Sequence, residues 1–99
     1  MEAGKTKTTT HDQEATIEVK NKMGLHARPA AMIVRVANKF NSEISFEKDE
    51  EIVDGKSIMG LMMLAAGQGS KLRLMANGED AKEACKALEE LFETKFEES

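Results

Sequence analysis

Polar and apolar residues alternate from Glu14 to Lys20. Ala15, Ile17 and Val19 fall on one side, and Glu14, Thr16, Glu18 and Lys20 on the other. A period of two marks a half-buried strand. Asn21 to Gly24 breaks it, and the period then lengthens. Between Ala27 and Phe40, the residues Ala30, Ile33, Val34, Ala37 and Phe40 form one stripe at helical spacing, with Arg35, Asn38 and Lys39 opposite. Pro29 falls in the first turn of that helix, where a missing N–H breaks no bond. This places His26 at or beside the N-cap. Alternation returns at Ile44 and Phe46, set between Glu43, Ser45 and Glu47. A charged turn leads to a short third strand over residues 51–54, and Asp54-Gly55-Lys56 turns the chain again.

Residues 57–65 read as a brief apolar helix capped by Ser57, with Leu61 and Leu64 inward. Two arrangements are open for its methionines: Met59 and Met62 exposed as a docking patch, or all three packed inside. Gly67-Gln68-Gly69 is a loop. Leu72 and Leu74 face inward in a fourth strand, with Lys71, Arg73 and Met75 outward. From Glu79 to Phe92 an amphipathic helix turns Ala81, Ala84, Leu88 and Leu91 inward, and Glu79 and Asp80 in its first turn suit the helix dipole. Residues 93–99 are expected to fray. Residues 1–13 have no periodicity and read as a mobile N-terminal tail in which His11 has no specific role; residues 14–99 form one domain. The order βαββαβα suggests an α+β fold with helices covering one face of an antiparallel sheet.

Composition narrows the function. With 40% hydrophobic and 32% charged residues the chain suits an ordinary globular domain. No apolar run reaches the roughly 18 residues of a membrane helix, and residues 1–12 hold no secretory signal. A soluble, cytoplasmic protein is expected. Cys85 is the single cysteine, so no internal disulfide can form. Its helical setting reads as a small core side chain rather than a nucleophile. Neither a metal site nor a nucleotide-binding loop is present in the pattern. The net charge of −4 and the absence of Trp and Tyr argue against nucleic acid. Yet residues 19–42 carry five basic residues (Lys20, Lys22, Arg28, Arg35, Lys39) and no acidic one. That asymmetry points to a local anion site or an acidic partner, or to no more than a solvated basic face.

The chemistry converges on Gly24-Leu25-His26-Ala27-Arg28-Pro29-Ala30. Gly24 permits a sharp turn and Leu25 can anchor it. His26 presents an imidazole where the first helical N–H groups lack partners and the dipole favours an anion. Arg28 can bring a planar guanidinium to the same point. A nitrogen nucleophile, free donors and an arginine suit a phosphoryl group held transiently on the ring. On spacing alone, an ordinary cap or surface histidine remains the competing reading.

The motif resembles the active-site motif of HPr, the histidine phosphocarrier of the bacterial phosphotransferase system. Gly55-Lys56-Ser57-Ile58-Met59-Gly60-Leu61-Met62-Met63-Leu64 is similar to that family's regulatory-serine helix, in the same order and spacing. The resemblance covers residues 14–97. It implies an open-faced β-sandwich with four antiparallel strands and three helices on one side. It implies a stoichiometric carrier, not an enzyme, without cofactor or metal and monomeric by default. His26 would be phosphorylated on Nδ1 by enzyme I, charged from phosphoenolpyruvate, and would pass the group to a IIA acceptor. Arg28 would contact the phosphoryl group and Pro29 hold the first turn. Ala27, Ala31, Arg35, Ile58, Met59 and Met62 would dock these partners. Ser57 would match the serine modified by HPr kinase/phosphorylase, or serve only as a cap. Met23 stands where many members carry a small polar residue that bonds the phosphoryl group.

Three alternatives compete. The nitrogen-related branch of the family signals without sugar transport, and Asn21-Lys22-Met23-Gly24-Leu25-His26 and Leu91-Phe92-Glu93-Thr94-Lys95-Phe96 are similar to it. A small phosphatase would need a group to activate water, and no Asp or Glu lies between Glu18 and Glu43. A purely regulatory module acting through Ser57 would not need His26.

Overall fold

The computed structural model describes residues 11–98. Four strands, β1 (Gln13–Glu18), β2 (Glu43–Lys48), β3 (Glu51–Asp54) and β4 (Lys71–Asn77), form one sheet in the order β1-β4-β2-β3. Every neighbouring pair is antiparallel. The helices are α1 (Ala27–Ala37), α2 (Ile58–Met63) and α3 (Ala81–Glu93), followed by a 3₁₀ turn at Lys95–Glu97. The βαββαβα order read from the periodicity is the order observed.

Register explains the core. Leu74 of β4 lies opposite Ala15 of β1 and Phe46 of β2, while Leu72 faces Ile17 and Ala76 faces Ile44. Each of these positions points to the same side, because side chains alternate along a strand. The helices supply Ala30, Ile33 and Ala37 from α1, Leu61 from α2, and Ala84, Leu88 and Phe92 from α3. All are buried, and Val34, Phe40 and Leu91 pack at the edge of the cluster. The expected inward stripes are thus present, with Leu91 less deeply placed than Phe92.

The other face of the sheet carries the polar positions. There Arg73 donates to both carboxylate oxygens of Glu14 (3.3 and 3.1 Å) and to Glu47 (2.9 Å), so one guanidinium ties three strands. Met75, expected to face solvent, is instead only 2% exposed. Its strand is central, and Glu14 and Ser45 flank it in register. Neighbouring side chains on both sides cover a long apolar residue that an edge strand would leave bare.

Two other expectations change. Asp80 is the N-cap of α3, not a first-turn residue. Its carboxylate accepts from the backbone N–H groups of Asn41 and Ser42 and from the Ser42 hydroxyl. The side chain therefore bolts the α1–β2 loop to the start of α3. His11 and Asp12 also make contacts. The His11 ring hydrogen-bonds Asn77 at 3.0 Å, and Asp12 accepts from the Gly78 N–H at 2.9 Å. Residues 1–10, the rest of the expected tail, lie outside the described residues.

The β2–β3 hairpin turns on Asp49 and Glu50, with φ of 52° and 70°. Two left-handed residues match the twist of a two-residue hairpin, which usually carries Asn-Gly. A left-handed residue with a Cβ costs roughly 1–2 kcal/mol. Glu50→Gly is expected to raise stability by about 0.5–1 kcal/mol, after the greater entropy of Gly in the unfolded chain is set against the relief. Urea unfolding of the two proteins measures this; a less stable variant would mean the turn is not strained.

Candidate functional site

The loop from β1 to α1 is cinched by its own backbone. Asn21, fully buried, donates from Nδ2 to the Gly24 carbonyl at 2.9 Å, and its own carbonyl accepts from the Gly24 N–H. Gly24 has φ of +71°, and a Cβ there would lie 2.5 Å from the Ala66 carbonyl oxygen. Only glycine permits both this conformation and this approach. Leu25 then donates its N–H to the same Ala66 carbonyl at 2.9 Å and buries its side chain. The loop is fixed at two points just before the residue that matters.

His26 is the N-cap of α1, with extended φ and ψ of −83° and −169°. Its side chain makes no capping bond and is 37% exposed. The backbone does the capping work, since the His26 carbonyl accepts from Ala30 at 3.0 Å. Pro29 is buried in the first turn, as its fixed φ favours. The N–H groups of Ala27 and Arg28 open the helix and have no carbonyl one turn back within it. Arg28 is exposed beside them.

The imidazole has a partner that the spacing did not show. Its Nε2 lies 3.3 and 3.2 Å from the two carboxylate oxygens of Glu98, whose side chain is only 14% exposed. Glu98 also accepts from Asn21 Nδ2 at 3.0 Å. A carboxylate only accepts, so Nε2 holds a proton toward Glu98, and a ring that holds this one proton has its lone pair on Nδ1. Burial pushes the Glu98 carboxyl upward, but hydrogen bonds from Asn21 and His26 and the nearby charges of the ring and Arg28 outweigh it. The carboxyl is held below the usual carboxylate range.

A depressed carboxylate contributes stability that is present above its unfolded pKa, about 4.3, and lost as pH falls through the folded value. Glu98→Gln is therefore expected to melt below the wild type at pH 6, with the gap closing below about pH 4. Paired thermal melts across that range test it; a gap independent of pH would remove the charge from the explanation.

Residues 93–98, expected to fray, are ordered, and residue 99 lies outside the described residues. Phe96 is fully buried, and its ring meets Phe92 edge-on with centroids 4.8 Å apart. Lys95, Phe96 and Glu97 all have positive φ, a left-handed turn that swings Glu98 back to the β1–α1 loop.

Ser57 caps α2 as expected, its Oγ accepting from the Gly60 N–H at 3.0 Å. Leu61 and Leu64 are buried. The open choice for the methionines resolves toward exposure, for Ile58, Met59, Met62 and Met63 all face solvent. On α1, Ala27 and Arg35 are exposed and Ala31 is half-buried. Helices α1 and α2 pack against one another, so their exposed residues belong to adjoining surfaces. Met23, also exposed, shares a shallow hollow with His26, Leu25 and Ala66. Cys85 is buried, and that burial pushes its thiol upward, away from the reactive thiolate.

Fold and site define a small open-faced α+β protein with one exposed, carboxylate-oriented histidine at a helix start. A family model described as the PTS HPr component phosphorylation site matches residues 13–94. Phosphocarrier protein HPr of Treponema pallidum is 51% identical over 83 residues, 84% of this chain and 94% of that protein. The HPr-like protein Crh of Halalkalibacterium halodurans is 56% identical over 75 residues, covering 76% and 89%. A crystal structure of HPr from Thermoanaerobacter tengcongensis superposes with a TM-score of 0.85 at 55% identity, covering 88% of this chain and 98% of that one. A second structure of HPr from that organism, at a TM-score of 0.69, 56% identity and coverage of 85% and 97%, is described as a dimer. The chain belongs to the HPr family of phosphocarriers of the phosphotransferase system. Among the described residues no helix is long and apolar enough to cross a membrane.

Proposed function

We propose that the chain accepts a phosphoryl group from enzyme I on Nδ1 of His26 and delivers it to a IIA acceptor, acting as a stoichiometric carrier in the cytoplasm. The observation that carries this reading is the Glu98 contact at Nε2 of the N-cap residue of α1, which favours the tautomer with its lone pair on Nδ1. In the transfer, the Nδ1 lone pair attacks phosphorus and an N–P bond forms as the bond to the donor breaks. The ring gains positive charge in that step. Glu98 stabilises it through Nε2–H, as a carboxylate does behind a catalytic imidazole. Arg28 and the open N–H groups of α1 face the incoming phosphoryl oxygens, and Pro29 keeps that first turn in place. Met23 supplies no polar contact to the group.

Docking would use Ala27, Ala31 and Arg35 of α1 with Ile58, Met59 and Met62 of α2. An apolar patch with one arginine suits a partner with an acidic rim. A monomer is the proposed working unit. Ser57, half-buried at the start of α2 beside exposed Ile58 and Met59, is the candidate for regulation by an HPr kinase/phosphorylase. A phosphate there would place about two negative charges beside the docking residues. Ser57→Asp is expected to weaken binding to enzyme I by roughly tenfold; titration calorimetry measures it, and an unaltered Kd would leave Ser57 as a cap alone.

Incubation with enzyme I and phosphoenolpyruvate tests the whole proposal. The expected product is a phosphoprotein that survives alkali, loses phosphate in acid, and persists until a IIA acceptor is added. Steady release of phosphate without acceptor would instead indicate a phosphatase.

A further inference from the structure

Methionine is concentrated where this surface faces solvent. Met23 is 72% and Met59 75% exposed, Met62 and Met63 are also open, while Met75 is buried in the sheet. Met23 shares its hollow with His26, and Met59, Met62 and Met63 line the exposed side of α2. The protein's one thiol, Cys85, is buried. Its raised pKa keeps it a thiol, so it offers little competition for an oxidant. A thioether needs no deprotonation to react, and exposure decides which one reacts first.

We infer that Met23, Met59, Met62 and Met63 make this surface an oxidation-sensitive one, on which sulfoxide formation by a peroxide slows phosphoryl transfer. The step balances without any further reagent. Sulfur attacks one peroxide oxygen, the S–O bond forms as the O–O bond breaks, and water leaves. Sulfur is oxidised by two electrons and the peroxide reduced by two. On α2 the product turns an apolar contact into a polar one that must find a hydrogen bond when a partner covers it. At Met23 it places an acceptor oxygen in the hollow shared with His26, where an anionic phosphoryl group would meet repulsion. The change is reversible by methionine sulfoxide reductases. This inference rests on the carrier reading of the same site.

The test treats the full chain with hydrogen peroxide, maps added oxygen by peptide mass spectrometry, and measures the rate of phosphorylation by enzyme I before and after. Oxygen is expected at Met23, Met59, Met62 and Met63 before Met75, with the rate falling roughly tenfold and returning after reductase treatment. A variant carrying Met23→Leu, Met59→Leu, Met62→Leu and Met63→Leu is compared with its own untreated rate, which peroxide should leave unchanged. An oxidised wild type that transfers as fast as the reduced protein overturns the inference, as does an equal loss in the leucine variant. An untreated wild type that takes up no phosphate overturns the carrier reading, and this inference with it.

Discussion

His26→Ala is expected to abolish phosphoryl acceptance while leaving the fold intact. The loss should be complete because no other imidazole can substitute. His11, the second histidine, lies at the opposite end of β1 and is bonded to Asn77 through Nδ1. A carboxyl phosphate would be lost in alkali and a serine phosphate would survive acid, so neither would match the linkage expected on His26. The fold should survive because His26 caps α1 through its carbonyl, which alanine retains, and its ring is part exposed. Loss of the Nε2 contact to Glu98 is expected to cost about 1 kcal/mol, or roughly 4–8 °C in a domain of this size, with Asn21 still bonded to the carboxylate. Phosphate incorporation and a thermal melt on the same preparation decide the matter. A variant that unfolds would make the ring structural, and one that still accepts phosphate would move the acceptor elsewhere.

Phe96→Ala is expected to have the largest effect on stability, about 3–5 kcal/mol. The ring is fully buried against Phe92, which in turn meets Phe46 at 6.0 Å. Its removal opens a cavity at the end of that aromatic row. It also frees the left-handed turn at Lys95–Glu97, which has no glycine to favour it and is held by this anchor. Glu98 would then leave His26, so the variant should lose transfer rate under conditions where it is still folded. Phe96→Leu, which keeps most of the volume, should recover both properties in part. Denaturant unfolding and single-turnover phosphorylation measure the two effects. A loss below about 1 kcal/mol would mean the turn is held by something other than the ring.

These two residues show what could be read in the chain and what could not. The strands and helices were legible because alternation in β1, β2 and β4 and the stripe on α1 mark the buried side of each element. His26 was legible because Gly24 and Pro29 bracket it with a turn and a helix start. Met75 was misplaced because alternation reports which side a residue faces, not how deeply neighbours in a central strand cover that side. Residues 93–98 read as frayed because their order comes from the burial of Phe96, a tertiary effect with no local signature. Glu98 was invisible for the same reason. It stands 72 residues from His26, so the acid sought near the histidine in sequence was supplied by a residue distant along the chain and adjacent in the fold. The signal within reach was Phe96 itself, a large apolar residue in a segment otherwise polar.

The separation of His26 from Glu98 also sets an order of events during synthesis. The histidine leaves the ribosome long before its carboxylate partner exists, and β1 waits for β4, its neighbour in the sheet. Contacts this distant form late, because long loops must close first. A nascent chain thus displays an unoriented imidazole, free to take either tautomer, and gains a poised one only when the last turn docks. Assembly itself acts as the gate: partially made copies would compete poorly for a phosphoryl donor, and ribosome-bound chains arrested before residue 96 should be slow acceptors beside released ones.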